Sequence, residues 1–156
     1  MPVPEMGQVL VKAIVSAISP GTEILFYRGQ VPPEMAIDSS IEELKSTVTY
    51  PLKYGYAVVG EVISLGQGVD SHWLGQVVFL FHTHESHFVT AVSNLHPLPH
   101  EMTSETAVLL PFMETAVSFL MDGQPIIGEQ VAVLGQGIVG LLTTALLAAY
   151  PLASLM

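Results

Sequence analysis

The ten residues from Val131 to Gly140, Val-Ala-Val-Leu-Gly-Gln-Gly-Ile-Val-Gly, constrain this chain more than any other stretch. A short apolar run enters a G-x-G-x-x-G turn, and an apolar helical pattern follows. Gly135 permits the sharp turn, Gly137 lets a pyrophosphate approach the backbone, and Gly140 lets the helix sit close to its strand. The helix N-terminus then offers free N–H groups and a partial positive charge to phosphate oxygens. Strand, turn and helix in this order predict the start of an α/β nucleotide-binding domain. Its contacts would be Gly135, Gln136, Gly137, Ile138, Val139 and Gly140.

Composition narrows what such a chain can be. Half of the 156 residues are hydrophobic, enough for a sizeable core. Fourteen acidic residues face four basic ones, for a net charge of −10. That balance argues against nucleic acid or an anionic membrane as partner, since both call for a basic patch. There is no cysteine, so disulfides, a thiolate nucleophile and thiolate zinc sites are excluded together. The N-terminus lacks the pattern of a signal peptide, and a cytoplasmic location is expected. Gln130 to Met156 carries no charge, but Pro151 and the three turn glycines break it, so a strand, a turn and a buried helix explain it better than a membrane span.

Ahead of the turn the pattern is β-rich. Gln8–Ile18, Tyr56–Gly66, Gln76–Phe81 and His87–Val92 are dense in β-branched and aromatic residues and read as strands. Gly60 inside the second predicts a bulge or a bend. Ser19–Glu23 reads as a turn, with a short helix or turn over Ile24–Arg28. Residues 30–49 look like a lid or substrate loop, with a helical turn at Ile41–Ser46. The last two strands are expected to form a hairpin around Thr83–Ser86, and the whole to make a small barrel or sandwich. After His96–Pro99, Thr103–Thr106 offer hydroxyl caps to a short helix stopped at Pro111, and a second helix runs from about Phe112 to Met121.

The order of these features resembles the medium-chain dehydrogenase/reductase superfamily, the zinc alcohol dehydrogenase-like proteins. The resemblance rests on Gly7–Lys12, Gly21-Thr22-Glu23, Gly55–Val62, Gly75–Val78, Leu110-Pro111 with Thr115-Ala116, and Val131–Gly140, and covers nearly the whole chain. It implies an α+β chain: a GroES-like β-barrel catalytic domain over 1–111, then a linking helix and the first βα unit of a truncated Rossmann fold over 112–156. Ser19–Glu23 is most similar to the branch holding bacteriochlorophyllide-type hydroxyethyl dehydrogenases. The resemblance further implies hydride transfer between NAD or NADP and an alcohol, ketone or enone, in a parent that is a homo-oligomer. It also implies missing pieces at both ends: the entering strand, and the ribose-reading residue about 20 positions past the glycine turn. Pro151–Met156 reads as the approach to a second Rossmann strand.

Residues departing from the family pattern matter as much. Pro20 stands where zinc-dependent members carry a Cys ligand, Tyr56 and Ala57 replace the ligand His and its Glu, and Pro111 falls at the third ligand position. No zinc and no other metal is expected. Thr22 matches the family's proton-relay hydroxyl, although such a hydroxyl equally caps the turn that follows. Tyr56 is placed to hydrogen-bond a substrate oxygen or to pack in the cleft. Glu114 lies near a lost ligand as an acid or base, or complements its helix dipole. Thr115 is a further cofactor-contact candidate. His82, His84 and His87 cluster with Glu85; His84 is the candidate proton shuttle, and a solvated loop is the plainer reading. Two rivals remain open: a zinc-independent quinone or enoyl reductase acting on C=C, and an inactive GroES-like interaction module.

Overall fold

The structure, a computed structural model, describes residues 1–32 and 47–156. The expected helical turn at Ile41–Ser46 and most of the expected lid lie outside the described residues. Contacts divide the chain into two compact units, Met1–Val108 and Leu109–Met156.

The first unit is built on an antiparallel sheet. Its strands are β1 (Gln8–Ser16), β2 (Val58–Leu65), β3 (Val77–Leu80), β4 (His87–Ala91) and β5 (His96–Pro97), ordered β4-β1-β2-β3-β5. The strands fall where the β-branched runs predict them. Their pairing does not. In place of the expected hairpin between β3 and β4, β4 pairs with β1 and β3 lies between β2 and β5. The linking segment crosses to the far side of β1, and Ser86 O accepts a hydrogen bond from Ala13 N at 2.9 Å. Short strands carry no label for their partners; the core they share decides. That core is Val9, Val11, Val58, Val62, Val78, Leu80, Phe88 and Leu95.

Gly60 is itself regular strand, and the irregularity expected at it falls in the partner strand β1, where Ile14 is the extra residue. The β1–β2 register slips between Ala13 and Val15, opposite Gly60. A Cβ at Gly60 would lie 2.5 Å from Val11 Cγ1 and 2.7 Å from the Lys12 carbonyl oxygen. Only glycine lets the strands approach this closely.

Two helix boundaries correct the sequence reading. Helix α1 spans Pro20–Tyr27, so the expected turn at Ser19–Glu23 is already its first turn. Pro20 suits that position because its missing N–H has no intrahelical partner there in any case. Pro111 likewise stops nothing. The short α2 (Ser104–Ala107), capped by the Thr103 hydroxyl, ends before it, and α3 (Leu110–Gly123) has Pro111 in its first turn.

The second unit holds α3, β6 (Gln130–Val131), α4 (Ile138–Leu147) and β7 (Ser154–Leu155). β7 runs parallel to β6, and Val133 N donates to Met156 O at 2.8 Å. The approach to a second strand is therefore borne out, and β6 is paired over its first residues. Leu134, by contrast, is 96% exposed. Among the described residues no helix is long and apolar enough to cross a membrane.

Candidate functional site

In the second unit the glycine turn has the geometry its sequence predicts. Gly135 adopts φ +97°, a conformation that side chains rarely tolerate. Gly137 is the N-cap of α4, and a Cβ there would meet nothing within 4 Å. Space beside the backbone is therefore open where a phosphate would approach. At Gly140 a Cβ would overlap the Gly135 carbonyl oxygen, so the helix packs directly on the turn. The Gln136 side chain donates to Thr144 Oγ1 at 3.2 Å and fastens the turn to the first turns of α4. The donor set fits a dinucleotide pyrophosphate: unpaired helix-start N–H groups, a turn without side-chain bulk, and no acidic side chain between Gln130 and Met156.

Glu114 and Thr115 also belong to this unit, on α3, and both are exposed. The Thr115 hydroxyl donates to Pro111 O at 3.0 Å, which leaves its lone pairs free to accept.

The first unit contains an apolar cavity of about 660 Å³, within the usual range for small-molecule sites. Two segments wall it. One is α1 with Ile18, Pro20, Ile24, Phe26 and Tyr27; the other is the strap Tyr50–Tyr54. Phe26 stacks on Tyr54 with centroids 3.9 Å apart, and the Tyr50 hydroxyl donates to Phe26 O. Two polar side chains face this apolar lining, Glu23 and His84. They bond to each other, His84 Nε2 to Glu23 Oε2, at 2.8 Å. The His84 side chain is 26% exposed and that of Glu23 11%. The other Glu23 oxygen accepts from Ser19 N at 2.7 Å, so the carboxylate also caps its own helix.

Three features fix His84. Its backbone N–H donates to Tyr54 O at 3.0 Å, tying its segment to the strap. Its ring lies on Gly55, where a Cβ would fall 2.5 Å from Cδ2. Beside it, Lys53 Nζ pairs with Glu85 Oε2 at 2.6 Å while the Thr83 hydroxyl donates to Glu85 Oε1 at 3.0 Å. Burial pushes the Glu85 carboxyl up, but the hydrogen bonds from Lys53 and Thr83 outweigh it and hold it below the ordinary glutamate value.

The histidine cluster is thus no solvated loop. His82 and Thr83 are buried, and His82 stacks on Phe88 at 3.8 Å. The three histidines diverge: His82 packs inward, His84 faces the cavity, and His87 begins β4. No group of three or more His, Cys, Asp or Glu that could hold a metal occurs among the described residues.

Of the residues singled out in sequence, the structure brings His84 into the cavity. Thr22 is exposed on α1 and Tyr56 is half-buried; neither lines the cavity. Glu23, its principal polar group, escapes a reading of the sequence. The signal is present, a proline at a helix's first position with an acid in its first turn. Reading Ser19–Glu23 as a turn conceals it.

This architecture is that of the N-terminal half of medium-chain alcohol dehydrogenases and enoyl reductases. An alcohol dehydrogenase, RspB of E. coli CFT073, solved in complex with NADH, matches 99% of this chain at 20% identity and a TM-score of 0.71. An alcohol dehydrogenase superfamily protein of Novosphingobium aromaticivorans matches 98% at 26% identity, with a TM-score of 0.63. The CurF ER cyclopropanase of the curacin A pathway matches 99% at 19% identity, with a TM-score of 0.78. The chain spans about half of each, covering 50%, 46% and 47% of their lengths. No protein-family model and no curated protein matches the sequence.

Proposed function

We propose that this chain belongs to a nicotinamide-dependent medium-chain oxidoreductase that moves hydride between NAD or NADP and an alcohol/carbonyl pair without a catalytic zinc. In this reading the first unit is its catalytic domain and the second the start of its nucleotide-binding domain. The observation that carries the reading is the glycine turn, with Gly135 in the left-handed region, open space at Gly137 and Gly140 against the turn. The same architecture in a dehydrogenase that holds NADH supports it.

When bound, the nicotinamide accepts or delivers the hydride. What this chain contributes is binding and proton handling. The turn from Gly135 to Gly140 holds the pyrophosphate, with Thr115 as a further contact. In oxidation the substrate hydroxyl must lose its proton as the hydride leaves carbon; Thr22 is the candidate relay hydroxyl, His84 the candidate acceptor and Glu114 the alternative acid or base. Tyr56 is a candidate donor to the substrate oxygen. The zinc-free part of the proposal rests on Pro20, Tyr56, Ala57 and Pro111 at the positions where relatives place ligands.

A second reading, reduction of an activated C=C bond, is favoured by the enoyl reductase CurK, which shares the architecture at a TM-score of 0.68. The full-length protein, given NADH or NADPH, is expected to turn over a simple ketone, and to keep doing so after dialysis against EDTA. Turnover of an enone alone would transfer the assignment to the second reading. Absence of any saturable NADH or NADPH binding would overturn both in favour of an interaction module.

A further inference from the structure

The cavity of the first unit has a chemistry the proposed reaction does not demand. Its polar group is a carboxylate, and a carboxylate only accepts hydrogen bonds. Glu23 Oε1 takes one from Ser19 N and Oε2 one from His84 Nε2, which leaves each oxygen a free lone pair. His84 Nδ1 is buried and has no partner. Beyond its contact with His84, the Glu23 carboxylate has no countercharge in this apolar wall among the described residues. The two lysines and the arginine described in this unit offer none: Lys53 is taken by Glu85, and neither Lys12 nor Arg28 lines the cavity.

The rest of the lining is apolar, and four of its residues are aromatic. Phe26, Tyr27, Tyr50 and Tyr54 all contribute. Aromatic faces carry negative electrostatic potential and attract cations, the arrangement used to hold organic ammonium groups. A carboxylate, aromatic faces and an acidic chain all select the same sign of charge.

We infer that the Glu23 cavity is a binding site for an organic cation, a protonated amine carried on an apolar ring, with the ammonium on Glu23 and the ring among Phe26, Tyr50 and Tyr54. Insofar as this names the substrate side of the proposed oxidoreductase, it rests on that reading, but the site lies wholly within the first unit and its occupancy needs no nicotinamide. Carboxylates and phosphorylated carriers are excluded by charge. A neutral alcohol of the same shape donates one hydrogen bond to Glu23 and binds more weakly.

Three ligands of one shape test this: 2-naphthylmethylamine, 2-naphthalenemethanol and 2-naphthoate, each titrated calorimetrically into the whole chain at neutral pH without nicotinamide. The amine is expected to bind at one site about tenfold more tightly than the alcohol, and the naphthoate not at all. Glu23→Gln keeps the size of the side chain and an acceptor for Ser19 N; it should cut amine affinity about tenfold and leave the alcohol within about threefold. Should that variant fail to fold by circular dichroism, Leu52→Arg decides, since a cation placed in the cavity wall should abolish amine binding. Equal affinity for amine and alcohol, binding of naphthoate, or amine binding that survives these substitutions overturns the inference. Because nicotinamide is absent throughout, failure here leaves the NADH titration of the full-length protein as an independent test of the dehydrogenase reading.

Discussion

At the scale of single residues, the two glycines that flank the proposed phosphate position separate folding from binding. Gly137 adopts φ −74° and has open space around its Cβ position, so Gly137→Ala should leave the melting temperature of the full-length protein unchanged. It should weaken NADH or NADPH by about tenfold, because the methyl occupies the approach of the phosphate. Gly140→Ala meets the Gly135 carbonyl oxygen and must displace backbone, so it should lower both stability and affinity. Fluorescence titration beside thermal melts checks the pair. Glu85 supplies a pH signature. Its folded carboxyl sits below the ordinary value, so its contribution is complete above the unfolded value and is lost as pH falls through the folded one. Glu85→Gln should therefore cost about 0.5 kcal/mol near neutrality, discounted for the exposed lysine. The deficit should vanish at strongly acidic pH, as read from melts across that range.

At the scale of elements, the sheet depends on a few fully buried positions. Leu80 is 1% exposed within the core, and Leu80→Ala should cost about 2–5 kcal/mol in denaturant unfolding. Gly60→Ala should cost about 1–3 kcal/mol although it removes nothing, since its Cβ meets Val11 and the Lys12 carbonyl. The positions of these strands are legible in the sequence because β-branched residues cluster where strands form. Partner choice is not legible, because β3 and β4 are equally suited to a hairpin with each other. What separates them is the burial of His82 and Thr83, which draws the connecting segment across β1. Proline misleads twice in one direction. Pro20 and Pro111 read as breakers, yet each sits in the first turn of a helix, where local sequence alone does not distinguish a start from a stop.

At the scale of the whole molecule, the two units differ in the core each is built on. The first has its own buried core. The second leaves Ile127 83%, Leu134 96% and Met121 69% exposed. Hydrogen exchange should report the contrast. Amides of Val9, Val11 and Val62 should exchange slowest, and that of Val131 far faster, since β6 is paired over two residues only. The class of fold is legible from the ordered motifs and the glycine turn. The cavity is not: its polar pair joins Glu23 to a histidine sixty-one residues away, and no periodicity or spacing links them.

The ring of His84 lies where a side chain at Gly55 would be, at 2.5 Å from the place its Cβ would take, and Gly55 itself has φ +119°. The two positions therefore cannot vary independently. Among descendants of this chain, a substitution that gives residue 55 a side chain expels the imidazole, and with it the partner of Glu23. Lineages that keep the imidazole–carboxylate pair must keep glycine at 55. Lineages that lose glycine there are released from both histidine and glutamate. Three positions scattered over the sequence should thus be inherited together or abandoned together, and their joint pattern would trace where this cavity's chemistry arose and where it was given up.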